Sequence, residues 1–246
     1  MYYLDSHIHL QDYKTQDVKN VVNNAAKNNV SRFINLSSHP QDWDIIQNLS
    51  QQYPQIIPAY GIHPWYINDA NDDFADKLEH LLKENQNAMI GECGIDRLKN
   101  PNTPVQTNIL RVHIDLADKY RRPLIIHSVK ADREFGELFS ILPQRTIFHS
   151  FTGSAEWGRE IQKHGFFIGI NFSILRIKNA TDIIRGINLD KVLLETDGPY
   201  QNNIKGEETL PQNLPFLAEK IAEIAQIDLR EFLDILNYNQ SIFLGE

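Results

Sequence analysis

The chain has a single cysteine among its 246 residues, Cys93, so no disulfide can form within it. Disulfides mark oxidising compartments, and their absence fits a reducing one. Apolar runs are also short, because none approaches the ~20 residues of a membrane-spanning helix. No basic segment followed by an apolar one opens the sequence. We therefore expect a cytoplasmic protein with no membrane partner.

Basic residues are fewer than acidic ones, with 24 Lys and Arg against 32 Asp and Glu and a formal net charge of −8. This balance argues against a broad basic surface that would coat nucleic acid irrespective of its sequence. The negative net charge is still compatible with a nucleic-acid substrate, because bound divalent cations would make the electrostatic potential of the site positive.

The sequence also lacks internal repeats and any linker rich in Gly, Pro or Ser that would divide it. A length of 246 residues is common for one α/β barrel. The sequence therefore predicts a single domain over residues 1–246.

Short apolar, β-branched runs alternate with segments of helical periodicity along the chain. Eight such runs predict strands: Tyr2–His9, Arg32–Ser37, Ile57–Ile62, Ala88–Gly94, Leu124–His127, Thr146–His149, Phe166–Ile170 and Val192–Thr196. Eight strands alternating with helices indicate a (β/α)8 TIM barrel, an α/β fold, and two helical patterns after residue 211 predict extra C-terminal helices outside it. An open doubly wound sheet is the alternative, but a Gly-rich loop would then be expected after the first strand.

Polar residues end these predicted strands. Asp5, His7 and His9 alternate along the first strand, so their side chains share one face. Other strands contain or end in His63, Glu92, His127, His149 and Asp197. Active sites of TIM barrels lie at the carboxyl ends of the strands, where buried polar groups need a partner or a metal.

Imidazole with carboxylate suits Zn, Mn, Fe or Ni, whereas carboxylate-rich sites favour Mg or Mn. The polar residues at the strand ends supply more ligands than one tetrahedral ion needs. Their number matches two ions that share one carboxylate. Structural roles are expected for the remaining histidines, which are His39, His80, His113 and His164. Cys93 is expected to be a buried structural thiol, because it points to the strand face opposite Glu92.

Six motifs in order give the sequence a likeness that covers nearly its whole length: DSHIHL, GIHPW, GECGID, PLIIHS, FHSFTGS and LLETDGPY. With these motifs the chain resembles the TatD family of metal-dependent deoxyribonucleases, within the amidohydrolase-like barrels. The resemblance implies hydrolysis of DNA phosphodiester bonds, often as a 3′→5′ exonuclease. It implies six metal ligands, which are His7, His9, Glu92, His127, His149 and Asp197.

In this resemblance Glu92 bridges two divalent ions, which could be Mg, Mn or Zn, and His63 lies near the substrate phosphate. Asp197 and Glu92 are the expected catalytic residues, because Asp197 could take the proton of the metal-activated water. His63 could donate a hydrogen bond to a non-bridging phosphate oxygen. DNA is the expected substrate, and no stable protein partner is implied. Asp5 either orients a ligand imidazole or forms a buried polar cap.

Two departures from the family pattern lie in loops that would touch substrate. Lys130 follows the PLIIHS motif where the family commonly carries Arg, and the segment after Tyr200 is short and acidic at Glu207 and Glu208. They leave open a hydrolase of a small phosphoester, or of a cyclic amide or lactone, on the same barrel. A barrel that serves only as a scaffold or binding module is a further alternative.

Overall fold

A computed structural model describes residues 2–100, 102–201 and 207–246. The chain forms two compact units, one of Met1–Ile34 with Ser150–Glu246 and the other of Asn35–His149. That both act as the single domain predicted for residues 1–246 stays a prediction. Within the described ranges, none of the helices is both long and apolar enough to cross a membrane.

The eight strands lie within two residues of the predicted runs at either end. Their bounds are β1 Tyr3–Ile8, β2 Val30–Leu36, β3 Ile56–Tyr60, β4 Met89–Asp96, β5 Leu124–Val129, β6 Thr146–Phe148, β7 Phe167–Ile170 and β8 Val192–Leu194. They form one sheet in the order β1 to β8, which is chain order. Each described pair is parallel, as in the pairing of Gly94 with His127 and of Ile168 with Val192.

Helices connect the strands in the alternation that the sequence predicts, although none of the predicted helical segments covers Phe74–Glu84. They are α1 Val18–Ala26, α2 Trp43–Gln52, α3 Phe74–Glu84, α4 Thr103–Tyr120, α5 Asp132–Leu138, α6 Ala155–Lys163, α7 Ala180–Gly186, α8 Leu214–Ala225 and α9 Leu229–Leu244. The last two are the predicted additional helices, and they pack against β1 and β8. Parallel strands in chain order with intervening helices confirm the (β/α)8 TIM barrel fold.

Strand β4 carries an irregularity beside Glu92. Its register with β5 shifts between Ile90 and Cys93, so the simple alternation of a regular strand is interrupted there. Such bulges re-aim a side chain next to a functional site. Cys93 is fully buried, as predicted, and burial raises the pKa of its thiol well above the ordinary value.

His113 has the structural role that the sequence predicts. It lies buried on α4, where its Nε2 accepts a hydrogen bond from the backbone N–H of Ile62 at 3.2 Å. Its Nδ1 lies 2.8 Å from the carbonyl oxygen of Ile109, to which it donates. Burial lowers the pKa of His113 to about 4, because the interior disfavours the imidazolium.

We expect His113 to make the stability fall as the pH decreases from 6.5 towards 4. Above pH 6.5 the residue is neutral in both states; below it the unfolded chain binds the proton first, so the stabilisation is lost on acidification. A folded pKa of about 4 against 6.5 unfolded corresponds to about 3 kcal/mol. Urea unfolding at pH 7 and pH 5 should show a smaller difference for His113→Gln than for the unchanged protein. The exposed His80→Gln serves as the control, and an equal pH dependence in His113→Gln would refute the assignment.

Candidate metal-binding clusters

The first candidate cluster, called here the His7 cluster, consists of His7, His9 and Asp197. The Nε2 atoms of the two histidines lie 3.1 Å apart, and each lies 3.7 Å from Oδ1 of Asp197. All three residues are buried. The side chains of His7, in β1, and of His9, directly after it, converge as the sequence predicts, and Asp197 reaches the same place from beyond β8.

Backbone pairing between β1 and the segment after β8 brings the His7 cluster together. The N–H of Asp197 donates to the carbonyl oxygen of His7 at 2.8 Å, and the N–H of His9 donates to that of Gly198 at 2.7 Å. The side chains are thus held by a ladder rather than by flexible loops. Asp197 itself has a φ of 56°, a left-handed conformation that few non-glycine residues adopt.

Asp5 braces this ladder and does not contact a ligand ring among the contacts that the structure describes. Its carboxylate accepts from the backbone N–H of Thr196 at 2.9 Å and from the Thr196 hydroxyl at 2.5 Å. The N–H of His7 lies 3.4 Å from the same carboxylate. Full burial raises the pKa of Asp5 to about 7, although these hydrogen bonds oppose the rise. Of its two predicted roles, the contacts favour the buried polar cap over the orientation of a ligand imidazole.

Sequence reasoning missed Glu195 and Tyr200, which flank Asp197. Glu195 is fully buried, and its Oε1 accepts from the backbone N–H of Ser150 at 2.6 Å. The Tyr200 ring is exposed and stands edge-on to His9, with centroids 5.6 Å apart, while its hydroxyl donates to Asp12 at 2.9 Å. An acid directly after the apolar run of β8 was the available signal for Glu195.

The second candidate cluster, called here the Glu92 cluster, consists of Glu92, His63, His127 and His149. Oε1 of Glu92 lies 2.8 Å from Nδ1 of His127 and 2.8 Å from Nε2 of His149. Nε2 of His63 lies 3.4 Å from the same oxygen. Glu92 is 3% exposed, so one buried carboxylate oxygen faces three imidazoles.

A second carboxylate, from Asp96 at the end of β4, orients His127. Its Oδ2 lies 3.4 Å from Nε2 of His127 and accepts from the indole N–H of Trp65 at 2.6 Å. Backbone N–H groups of Leu98 and Lys99 donate to its Oδ1 at 2.8 and 3.0 Å. When Nε2 of His127 donates its proton to Asp96, Nδ1 has no proton and can bind a metal ion beside Glu92. A carboxylate that accepts from the far nitrogen of a ligand histidine is the usual arrangement at metal sites.

The pKa of Asp96 is lowered and the pKa of His127 is raised, as expected for an ion pair between them. Burial alone would raise the pKa of the Asp96 carboxyl, but donors from His127, Trp65 and the backbone lower it well below its usual range. Burial alone would lower the pKa of His127, but the carboxylates of Asp96 and Glu92 raise it overall. Sequence reasoning missed Asp96, although it closes the GECGID motif.

Both clusters fit divalent metal ions. The ligand atoms of His7, His9 and Asp197 all lie within 4.8 Å of one another, and so do those of His63, Glu92 and His127. Nε2 of His149 lies 3.2 Å from Nδ1 of His127 and 2.8 Å from Oε1 of Glu92, so His149 can take the place of His63 in the second set. Bonds of about 2.0–2.2 Å to one ion would hold such atoms roughly 3–4 Å apart. Buried imidazoles facing carboxylates at these distances are the donor set that a first-row divalent ion prefers.

The other predicted residues lie outside the clusters. Two of them pair with glutamates four residues away, His80 with Glu84 and His164 with Glu160. Nδ1 of His39 lies 2.9 Å from Oε1 of Gln41. In the acidic segment after Tyr200, residues 202–206 lie outside the described part of the chain. Glu208 accepts from the backbone N–H of Lys14 at 2.7 Å. Lys130 is exposed, with a φ of 55°.

Comparison with known proteins places this arrangement in a family. Residues 4–245 match the family described as TatD related DNase. The metal-dependent hydrolase MJ1582 of Methanocaldococcus jannaschii is 26% identical over 98% of this chain and 96% of its own. The deoxyribonuclease Tat-D of Schizosaccharomyces pombe is 26% identical over 81% of this chain and 70% of its own. The solved structure of YjjV, a TatD homologue from Escherichia coli, superposes with a TM-score of 0.92 at 23% identity, covering 99% of this chain and 98% of that one.

Proposed function

Because the chain belongs to the TatD related DNase family, we propose that it hydrolyses phosphodiester bonds of DNA and removes nucleotides from the 3′ end. Its family makes it a metal-dependent hydrolase of ester bonds. The observation that carries the proposal for the site is the Glu92 carboxylate, buried and facing three imidazoles at 2.8 to 3.4 Å. A buried carboxylate is costly unless it is paired or coordinates a metal ion, and imidazoles facing it are suitable ligands for the same ion.

Six residues would hold two divalent cations, with Mg, Mn or Zn as the candidates. They are His7, His9 and Asp197 of the His7 cluster, and Glu92, His127 and His149 of the Glu92 cluster. Divalent cations at such positions lower the pKa of a bound water and stabilise the charge that develops on attacking and leaving oxygens. Bridging of both ions by Glu92 is retained as a prediction from the family resemblance.

Asp197 is the proposed acceptor of the proton from the attacking water. Its carboxylate oxygen Oδ1 lies 3.7 Å from Nε2 of His7 and 3.7 Å from Nε2 of His9, so it is directed at the place where these side chains would hold a cation. Its backbone N–H is fixed on the carbonyl oxygen of His7. A base held by the strand ladder loses little freedom when substrate binds.

His63 is the proposed hydrogen-bond donor to a non-bridging phosphate oxygen. Its Nδ1 accepts the backbone N–H of Trp65 at 3.1 Å. In the neutral imidazole the proton then resides on Nε2, which makes that atom a donor rather than a metal ligand. Its Nε2 lies 3.1 Å from Nδ1 of His127, so the donor is placed beside a proposed ligand.

We expect purified protein to shorten single-stranded DNA from the 3′ end when Mg²⁺, Mn²⁺ or Zn²⁺ is added. An oligonucleotide labelled at the 5′ end should give a ladder of progressively shorter labelled products. An oligonucleotide labelled at the 3′ end should release its label early in the reaction. Chelation with EDTA should stop the reaction, and metal analysis should identify the retained ion. Turnover of small phosphoesters, cyclic amides or lactones with intact DNA would refute the nuclease proposal. Persistence of full turnover after chelation would refute metal dependence.

A further inference from the structure

Two exposed aromatic side chains, Trp65 and Tyr66, lie beside His63 of the Glu92 cluster. Trp65 follows β3 and is 47% exposed, and Tyr66 beside it is 38% exposed. Leu98 follows β4 and is 69% exposed. The Trp65 ring centroid lies 4.9 Å from that of His63 and 6.4 Å from that of His127. A half-exposed indole therefore adjoins the residues that would handle the scissile phosphate.

The indole of Trp65 is fixed in orientation although much of it is exposed. Its N–H donates to Oδ2 of Asp96 at 2.6 Å, and its ring stands edge-to-face with His63 at an interplanar angle of 81°. Asp96 is in turn held by two backbone N–H groups. An aromatic ring that is already ordered loses little entropy when a ligand stacks on it.

Positive charge accompanies this ring in an otherwise acidic protein. Nζ of Lys99 lies 5.1 Å from the Trp65 ring centroid, a cation–π distance. Arg97 and Lys99 are exposed in the segment after β4, and Lys130 is exposed in the segment after β5. Arg97 is partly neutralised by Glu134 at 3.6 Å, whereas Lys99 is placed directly over the indole.

We propose that Trp65 is a stacking site for one nucleobase of single-stranded DNA, with Lys99 pairing with an adjacent phosphate. The inference rests on the proposed nuclease function and specifies how that enzyme holds its substrate. Aromatic rings with neighbouring cations are how proteins bind single strands without reading their sequence. A duplex cannot use the site, because its bases are stacked on one another. The site therefore selects unpaired ends.

The test measures binding of a fluorescein-labelled oligothymidine by anisotropy, with EDTA present so that no cleavage occurs. Trp65→Ala is expected to raise the dissociation constant roughly tenfold, the usual weight of one base–aromatic stack. Trp65→Phe removes the indole donor to Asp96 but keeps an aromatic face, so it should bind close to the unchanged protein. Tyr238→Ala is the control, because Tyr238 of helix α9 is also an exposed aromatic residue, at 64%, and does not belong to the Glu92 cluster.

An abasic strand separates stacking from a structural role. The unchanged protein should bind the oligothymidine roughly tenfold more tightly than the same strand carrying abasic sugars, and Trp65→Ala should reduce that preference. Equal affinity of Trp65→Ala and the unchanged protein would overturn the inference while leaving the proposed function intact. Equal weakening by Ala and Phe would overturn it as well, since the hydrogen bond would then be the cause. If the unchanged protein neither binds nor shortens single-stranded DNA, the proposed function fails together with the inference.

Discussion

Replacing Glu92 by alanine should abolish turnover and lower the metal content of the purified protein, while leaving it folded. Its Oε1 is the oxygen that faces His63, His127 and His149. Loss of a residue behind a ligand already costs about 10–100-fold in metal affinity or activity, so loss of the shared carboxylate should cost more than ~100-fold. Metal content by mass spectrometry, together with kcat/KM on labelled DNA, checks this expectation.

The fold should survive Glu92→Ala because the substitution removes a buried charge, whose burial is costly without its partners. Circular dichroism and the thermal midpoint of unfolding would show whether the Glu92→Ala protein is folded. Glu160→Gln is the matched control and should keep both metal and activity, because the Glu160 side chain is 44% exposed on α6 and pairs with His164 outside both clusters. A Glu92→Ala protein that retains two ions per chain would show that Glu92 does not bridge them.

Replacing Gly94 by alanine should destabilise the protein by about 3 kcal/mol or more. Gly94 has a φ of 156°, and a Cβ atom there would lie 1.9 Å from the carbonyl oxygen of His127. The neighbouring atom belongs to the backbone, so no side chain can rotate away, and β4 and β5 would have to separate. For a chain of this length the thermal midpoint should fall by about 10 °C.

The Gly94 substitution should also reduce metal content, because Gly94 pairs directly with His127 in the sheet. Gly136→Ala is the matched control: no heavy atom lies within 4 Å of the added Cβ, and the residue is in the middle of helix α5. Alanine is the better helix former, so this variant should be unchanged or slightly more stable. Equal midpoints for the Gly94 and Gly136 variants would contradict the close approach of β4 and β5.

Much of the fold follows from local patterns. Each strand was predicted within two residues at both ends, because β-branched apolar runs between helical segments are a local signal. The pair His7 and His9 was likewise readable, since period-two spacing on a strand puts both rings on one face. Helix α3 was not among the predicted helical segments, and its apolar residues Leu78, Leu81 and Leu82 are the core-facing ones.

The same local reasoning could not show what Asp96 and Trp65 do. Asp96 lies at the end of β4, and its function depends on His127 of β5 and on Trp65 after β3. The sequence alone does not show that one carboxylate oxygen is shared by an imidazole and an indole. The bulge that interrupts β4 beside Glu92 is equally invisible, because it depends on the register with β5.

The sequence by itself determined the alternation of strands and helices and the polar residues at the strand ends, because both depend on side-chain type and spacing. Only the tertiary structure decided which polar groups meet: Glu92 with three imidazoles, Asp197 with His7 and His9, and Asp96 between His127 and Trp65. Those contacts join strands far apart in the chain, and their distances are set by strand register and packing. Neither strand register nor packing is encoded by the local propensity of a segment.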